Sequence, residues 1–215
     1  TRNPDTMAKI RTGYPRFVIH PFSTQVCDWF AESSGLQKRT IFALNSSRCV
    51  DGVREFLGVD GFEAEEREGL TFAHLPDSDE ARVEGKLFLQ HAGCGASSRK
   101  AEDLLVRVGR LDRRHQEDCV EGDADAIVGA NLAEAFGGIE SQEVMLAASG
   151  MNAFYALFRA TRETRRPQGR KTWIQLGWLY VDTMLILQKL LAPDEELVVF
   201  PDISDLESVR GLLED

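Results

Sequence analysis

From residue 143 onward, a short apolar run followed by a helical pattern occurs three times, and this limits the fold more than any other feature of the chain. Residues 143–148 read as a buried strand, and 151–161 as a helix with Met151, Phe154, Leu157 and Phe158 on one face. Residues 171–176 and 183–191 repeat the pairing. Glu196–Phe200 is a third strand, and Ser204-Asp205-Leu206-Glu207 is a capping box opening a third helix, with Leu206, Val209, Leu212 and Leu213 on its apolar side. Strands alternating with helices predict an α/β fold with a mostly parallel sheet flanked by crossover helices. The chain stops at Asp215, where that third helix is finishing. A doubly wound domain does not normally end there, so the expectation is a portion of something longer.

The first part has no such rhythm. Phe17-Val18-Ile19 is a strand candidate after Gly13-Tyr14-Pro15, and Arg39–Leu44 is another. Ser46 and Ser47 can cap a helix carrying Val50, Val53, Phe56 and Leu57. Residues 58–84 are acidic and poorly patterned and read as loop, and Lys86-Leu87-Phe88-Leu89 as an edge strand. Gly93-Cys94-Gly95 then leads through Ser97-Ser98 into a helix running toward Arg114. A regular helix over 123–136, stopped by Gly137-Gly138, begins the second part. The division expected is therefore a mixed segment over 1–120 and the first part of an α/β domain over 121–215.

Composition narrows the partners. A net charge of -10 and a pI near 5.0 argue against nucleic acid, whose binders carry a basic face. The basic stretch at 159–171 reads as a solvated turn. No apolar run is long enough to span a bilayer, so no membrane association is expected. Cys27, Cys49, Cys94 and Cys119 stand apart without a CxxC pair, the usage of reduced thiols in a cytoplasmic setting. His91 and Cys94 are three residues apart, but two ligands do not make a metal site, and no metal is expected.

The stretch Ala148-Ser149-Gly150-Met151 places a small pair between a strand pattern and a helix pattern. A helix N-terminus offers free amides and partial positive charge, glycine lets an anion come close, and serine adds a hydroxyl. On periodicity alone, a phosphate site and a plain structural turn both remain open. The loop at 93–98 is a weaker second candidate, lacking the third glycine of a dinucleotide fingerprint and the GK[ST] of a P-loop.

Read together, the later segments resemble a known family. Leu179-Tyr180-Val181-Asp182-Thr183 looks like the Leu-Tyr-Gly-Gly-Thr segment of the Cys/Met-metabolism pyridoxal-phosphate enzymes, which include cystathionine γ-synthase, cystathionine γ-lyase and methionine γ-lyase. Ser149-Gly150-Met151 resembles that family's Ser-Gly-Met motif, and residues 200–207 its aspartate-rich turn before a helix. Residues 13–17 and 95–102 are similar to segments of the divergent fungal-type cystathionine γ-synthase branch. The resemblance is strong over 144–215 and looser before it.

The resemblance implies a fold type I architecture, of the aspartate aminotransferase kind, incomplete in this chain. It implies pyridoxal 5'-phosphate as cofactor, held through Ser149, Gly150 and Met151 at the phosphate and Tyr180 at the ring, with Trp178 the alternative for stacking. Small amino-acid substrates, the remaining part of the enzyme and a homo-oligomer are the partners it implies. Its reaction is γ-replacement, in which an O-acylhomoserine loses its acyl group and cysteine adds; γ-elimination is the neighbouring alternative, and a non-catalytic scaffold another. Asp182 departs from the family by standing where it has glycine. None of Lys9, Lys38, Lys86, Lys100, Lys171 and Lys189 has the Ser-x-Thr-Lys-like context of the family's Schiff-base lysine. The amino-terminal Tyr-Ser-Arg segment is not found either, leaving Arg48 and Arg99 as candidates for its phosphate-binding duty.

Overall fold

The computed structural model describes residues 19–115 and 122–214, which cluster into two compact units divided between Ser149 and Gly150. The sequence had suggested a change of character nearer 120. Cys119 and the residues Phe17 and Val18 of the first strand candidate lie outside the described residues.

The first unit is built on three antiparallel strands in the order β1-β3-β2, where β1 is Arg39–Leu44, β2 Glu63–Arg67 and β3 Leu70–Pro76. The central strand β3 is buried at every position but Pro76, since helices cover both faces of the sheet. Helices α1 (Pro21–Ser34) and α4 (Ser98–Arg107) lie against one face, where Val26, Phe30, Ala43, Phe72, Leu104 and Leu105 form the core. Phe30 and Phe72 stack with centroids 4.2 Å apart and planes 6° from parallel. The other face takes helix α3 (Asp79–Ala92), whose Gly85 lies directly on the Phe42 ring. Helix α2 (Val50–Leu57) packs beside α3, with the Phe56 and Phe88 rings 5.3 Å apart. Helix α5 (Ala124–Phe136) is capped by Asp123, which accepts the Ala126 N–H, and ends at Gly137 as expected.

Several expectations are corrected here. Residues 58–84 are not loop. They hold β2, β3 and the start of α3. An acidic edge strand (Glu-Ala-Glu-Glu-Arg) and a strand buried on both faces lack the alternation by which strands are found. Lys86-Leu87-Phe88-Leu89 is helix rather than edge strand: Ser78 caps α3 through the Ala81 N–H, and Ala81, Gly85, Phe88 and Ala92 recur on its buried side. Residues 143–148 are not a buried strand. Met145 is 92% exposed, and no described residue pairs with the segment, so its backbone has no ladder to join. The helix after Ser98 ends at Arg107, short of Arg114.

The second unit contains α6 (Gly150–Arg165), β4 (Thr172–Leu176), α7 (Val181–Lys189), β5 (Glu196–Phe200) and α8 (Leu206–Glu214). β4 and β5 pair in parallel from Thr172↔Glu196 to Leu176↔Phe200, so this part is an α/β unit with a small parallel sheet. Met151, Tyr155 and Phe158 are the buried stripe of α6, and Phe158 packs on Trp173 at 4.9 Å. Leu157, expected on that stripe, is 64% exposed, because the face turns on 151/155/158 spacing. Asp205 rather than Ser204 caps α8, accepting the Ser208 N–H, while Ser204 donates to Asp202.

Candidate functional site

In parallel α/β units, ligands meet the carboxyl ends of the strands, where loops run into helix N-termini. In the second unit those ends are Leu176 and Phe200, followed by the loops 177–180 and 201–205. The first loop is fixed at its root. Gln175, 4% exposed, donates from Nε2 to the Gly177 carbonyl at 3.0 Å, and Gly177 donates its N–H to Phe200 O at 2.7 Å. Gly177 has φ of +71°, and a Cβ there would sit 3.2 Å from Ile203 Cγ2, so both backbone and space favour glycine.

Fixing that root presents two aromatic rings. Trp178 is 82% exposed, and Tyr180, the residue that precedes helix α7, is 56% exposed with φ of -57° and ψ of 137°. Two residues on, Asp182 is buried in the first turn of α7, where a carboxylate is favoured by the helix dipole. In the second loop, Asp202 accepts from the Ser204 hydroxyl and N–H, and these bonds hold its carboxyl below the usual range. Asp205 is lowered in the same way by Ser208.

Gly150 opens α6, a helix with no acidic residue in its first turn and Arg162 and Arg165 in its last. Its first turn therefore supplies no carboxylate against the positive end of the helix dipole. No described residue lies within 4 Å of where a Gly150 Cβ would stand, and Met151 beside it is buried. Ser149 belongs to the first unit, where its hydroxyl donates to the Gly93 carbonyl at 3.5 Å. So Gly150, Met151 and Tyr180 all lie in the second unit, and Ser149 in the first.

Elsewhere, His91 and Cys94 are buried in the first unit, and no group of three or more His, Cys, Asp or Glu suited to a metal occurs among the described residues. Among those residues, no helix is long and apolar enough to cross a membrane. Sequence reasoning passed over Gln175, although a lone amide in an apolar strand was there to be noticed. It also passed over a cavity in the first unit between α1, β1 and α3, which only the fold assembles.

The chain is similar to the L-2-amino-4-chloropent-4-enoate dechlorinase/desaturase of Streptantibioticus cattleyicolor, at 33% identity over 211 residues. The alignment covers 98% of the chain and 42% of that relative, so the chain spans less than half the length of the protein it matches. No family model matches it. No solved structure matches it.

Proposed function

We propose that this chain is part of a pyridoxal-phosphate enzyme that expels a substituent from the γ-carbon of an α-amino acid. The observation that carries the reading is its 33% identity, along nearly its whole length, to an enzyme whose name places the leaving chlorine on C4 of a 2-amino acid. C4 is the γ-carbon. It is the same carbon that loses its substituent in the γ-replacement and γ-elimination reactions of the enzymes which segments 149–151 and 179–183 resemble. Between those two outcomes, a dechlorinating and desaturating relative favours elimination over the cystathionine γ-synthase reaction, in which a thiol re-adds.

The cofactor asks three things of a protein: donors for its phosphate, a surface for its ring and a lysine for its carbonyl carbon. The second unit fits the first two. The amides at Gly150 and Met151 open a helix without an acidic residue in its first turn, and Tyr180 offers an exposed ring beyond a strand's carboxyl end. The third is not met there. Lys171 precedes β4 and pairs with Asp194 at 2.8 Å, while Lys189 is in the last turn of α7. Pyridoxal phosphate, when bound, draws electrons from the substrate's α-carbon so that its proton can be removed. The chain's own share is to hold the phosphate through backbone N–H groups and to fix the ring plane against Tyr180. Asp202 and Asp205, held ionised by their serine partners, keep the second loop folded beside that edge.

Completion by a further portion of the enzyme is part of the same proposal. A parallel pair is ordinarily covered on both faces, yet Ile174, Leu176 and Val199 are all more than a third exposed. These residues fit a larger sheet.

Titrating the chain with pyridoxal phosphate, followed by absorbance and by quenching of tryptophan emission, tests the reading. Saturable binding that Gly150→Glu and Tyr180→Ala each weaken about tenfold, roughly 1.4 kcal/mol, is the expected result. Binding that neither change alters, or none at millimolar cofactor, overturns it.

A further inference from the structure

β1 is an edge strand, yet its open side is not simply solvent. The first unit is layered, with α1 on one face of the sheet and α3 on the other, and residues of both helices line a cavity together with β1. That cavity has a volume of about 580 Å³, and residues 39–43 of β1 line it.

The hydrogen bonding of β1 can be read from parity. Ala43 O accepts from Ala96 N and Asn45 N donates to Cys94 O, both at 2.9 Å, so odd-numbered residues of β1 turn their backbone groups away from β3. These two bonds begin a ladder alongside β1, bridging Leu44 and Gly95. It stops there because Ser97 caps α4 and the chain turns away. The next outward position is Ile41, and its N–H and C=O have no backbone partner among the described residues. Such a donor and acceptor, beside a cavity lined by two helices, make the template that a further strand completes.

The walls determine what that strand would carry. Cys27 and Ala31 line the α1 side, and Leu89 the α3 side, giving small and apolar surfaces. Of the charged lining residues, Arg82 pairs with Asp77 and Arg39 with Glu63, whereas Lys86 on α3 and Asp28 on α1 have no ion-pair partner among the described residues. Successive residues of a strand point to opposite faces, so an occupant would meet these charges with alternate side chains. We propose that the open stretch of β1 at Ile41 takes up an extended peptide segment by strand addition, one with apolar side chains and an acidic residue directed at Lys86. A second copy of the chain is the competing occupant of an edge strand, and self-association distinguishes it. The inference concerns the first unit alone and does not depend on pyridoxal phosphate.

The test is fluorescence anisotropy of the whole chain with a labelled probe, acetyl-Ser-Val-Glu-Val-Ala-amide. Saturable binding is expected, lost when the valine amides of the probe are N-methylated and weakened at least tenfold by Lys86→Glu. The same variant should bind acetyl-Ser-Val-Lys-Val-Ala-amide better than the unchanged chain does. No binding at millimolar probe, or binding indifferent to both N-methylation and charge reversal, overturns the proposal. Self-association in sedimentation that the probe dissociates would overturn it in favour of a second copy, and binding seen only after removal of residues 1–18 in favour of the chain's own start.

Discussion

Glu195 Oε2 lies 3.0 Å from Arg162 Nε in a pair whose side chains are 1% and 11% exposed. The same carboxylate accepts the Ala192 N–H at 2.7 Å and stands 3.5 Å from Trp173 Nε1. One buried acid thus ties the last turn of α6 to β4 and to the turn that enters β5. Removing one partner of a buried pair leaves the other charge without its counter-ion, so Glu195→Ala is expected to cost about 3–5 kcal/mol. Urea unfolding followed by tryptophan emission measures this. A loss below about 1 kcal/mol, the usual worth of an exposed pair, would contradict the buried arrangement.

The neighbouring acid makes a prediction about pH. Lys171 and Arg166, at 2.8 and 2.7 Å, hold the Asp194 carboxyl down at about 2. An acid depressed by folding contributes stability above its unfolded value, roughly 3.9, and that contribution goes as pH falls through the folded value. Asp194→Asn should therefore be less stable than the unchanged chain at pH 6 and approach it near pH 2, where about half of the acid is itself protonated. The two proteins' unfolding midpoints, compared across that range, give the check. A gap that widens toward acid would reverse the sign argued here.

Gly85 gives a test in which two effects oppose. It lies inside α3, where replacing glycine by alanine ordinarily gains about 1 kcal/mol. A Cβ at this position, however, would stand 2.1 Å from Phe42 Cζ. Overpacking costs about 1–3 kcal/mol, so Gly85→Ala is expected to destabilise despite its better helix propensity. In Phe42→Leu the ring is gone, and there the same glycine change should be neutral or stabilising. A double-mutant cycle by thermal unfolding reads the coupling directly.

These positions also show what could be read from the sequence. Arg39–Leu44, α2, the start of α4, α5 and the β4-α7-β5 succession were legible, because caps, glycine stops and periodicity agreed there with the final packing. β3 was not legible: the feature that makes it central, burial on both faces, erases its alternation. Residues 143–148 misled in the opposite way, since an apolar run becomes a strand only beside a partner. Of the candidate site, Gly150 and Tyr180 could be picked out as residue types in a motif. Gln175, which holds Tyr180's loop, depends on a contact at right angles to the periodicity. The β1 edge cavity gathers residues as distant as Cys27 and Leu89, and no spacing announces it.

Gln175 separates the proposed cofactor role from plain stability. Its Nε2 holds the Gly177 carbonyl, and its Oε1 is buried with no hydrogen-bond partner among the described residues. Leucine there would remove one bond and also one unsatisfied buried acceptor, two effects of opposite sign and each about 1 kcal/mol. Folding stability should consequently move little in Gln175→Leu. The loop from Gly177 to Tyr180, in contrast, loses the side chain that fixes its first carbonyl, three residues before the Tyr180 ring. Pyridoxal-phosphate affinity is expected to fall about fivefold, roughly 1 kcal/mol, with the thermal midpoint shifted by no more than a few degrees. Gly177→Ala provides the contrast: a non-glycine residue at φ of +71° is strained by about 1–3 kcal/mol, so affinity and midpoint should fall together. Equal losses of both in the two variants would mean that Gln175 only supports the fold and has no separate hold on Tyr180.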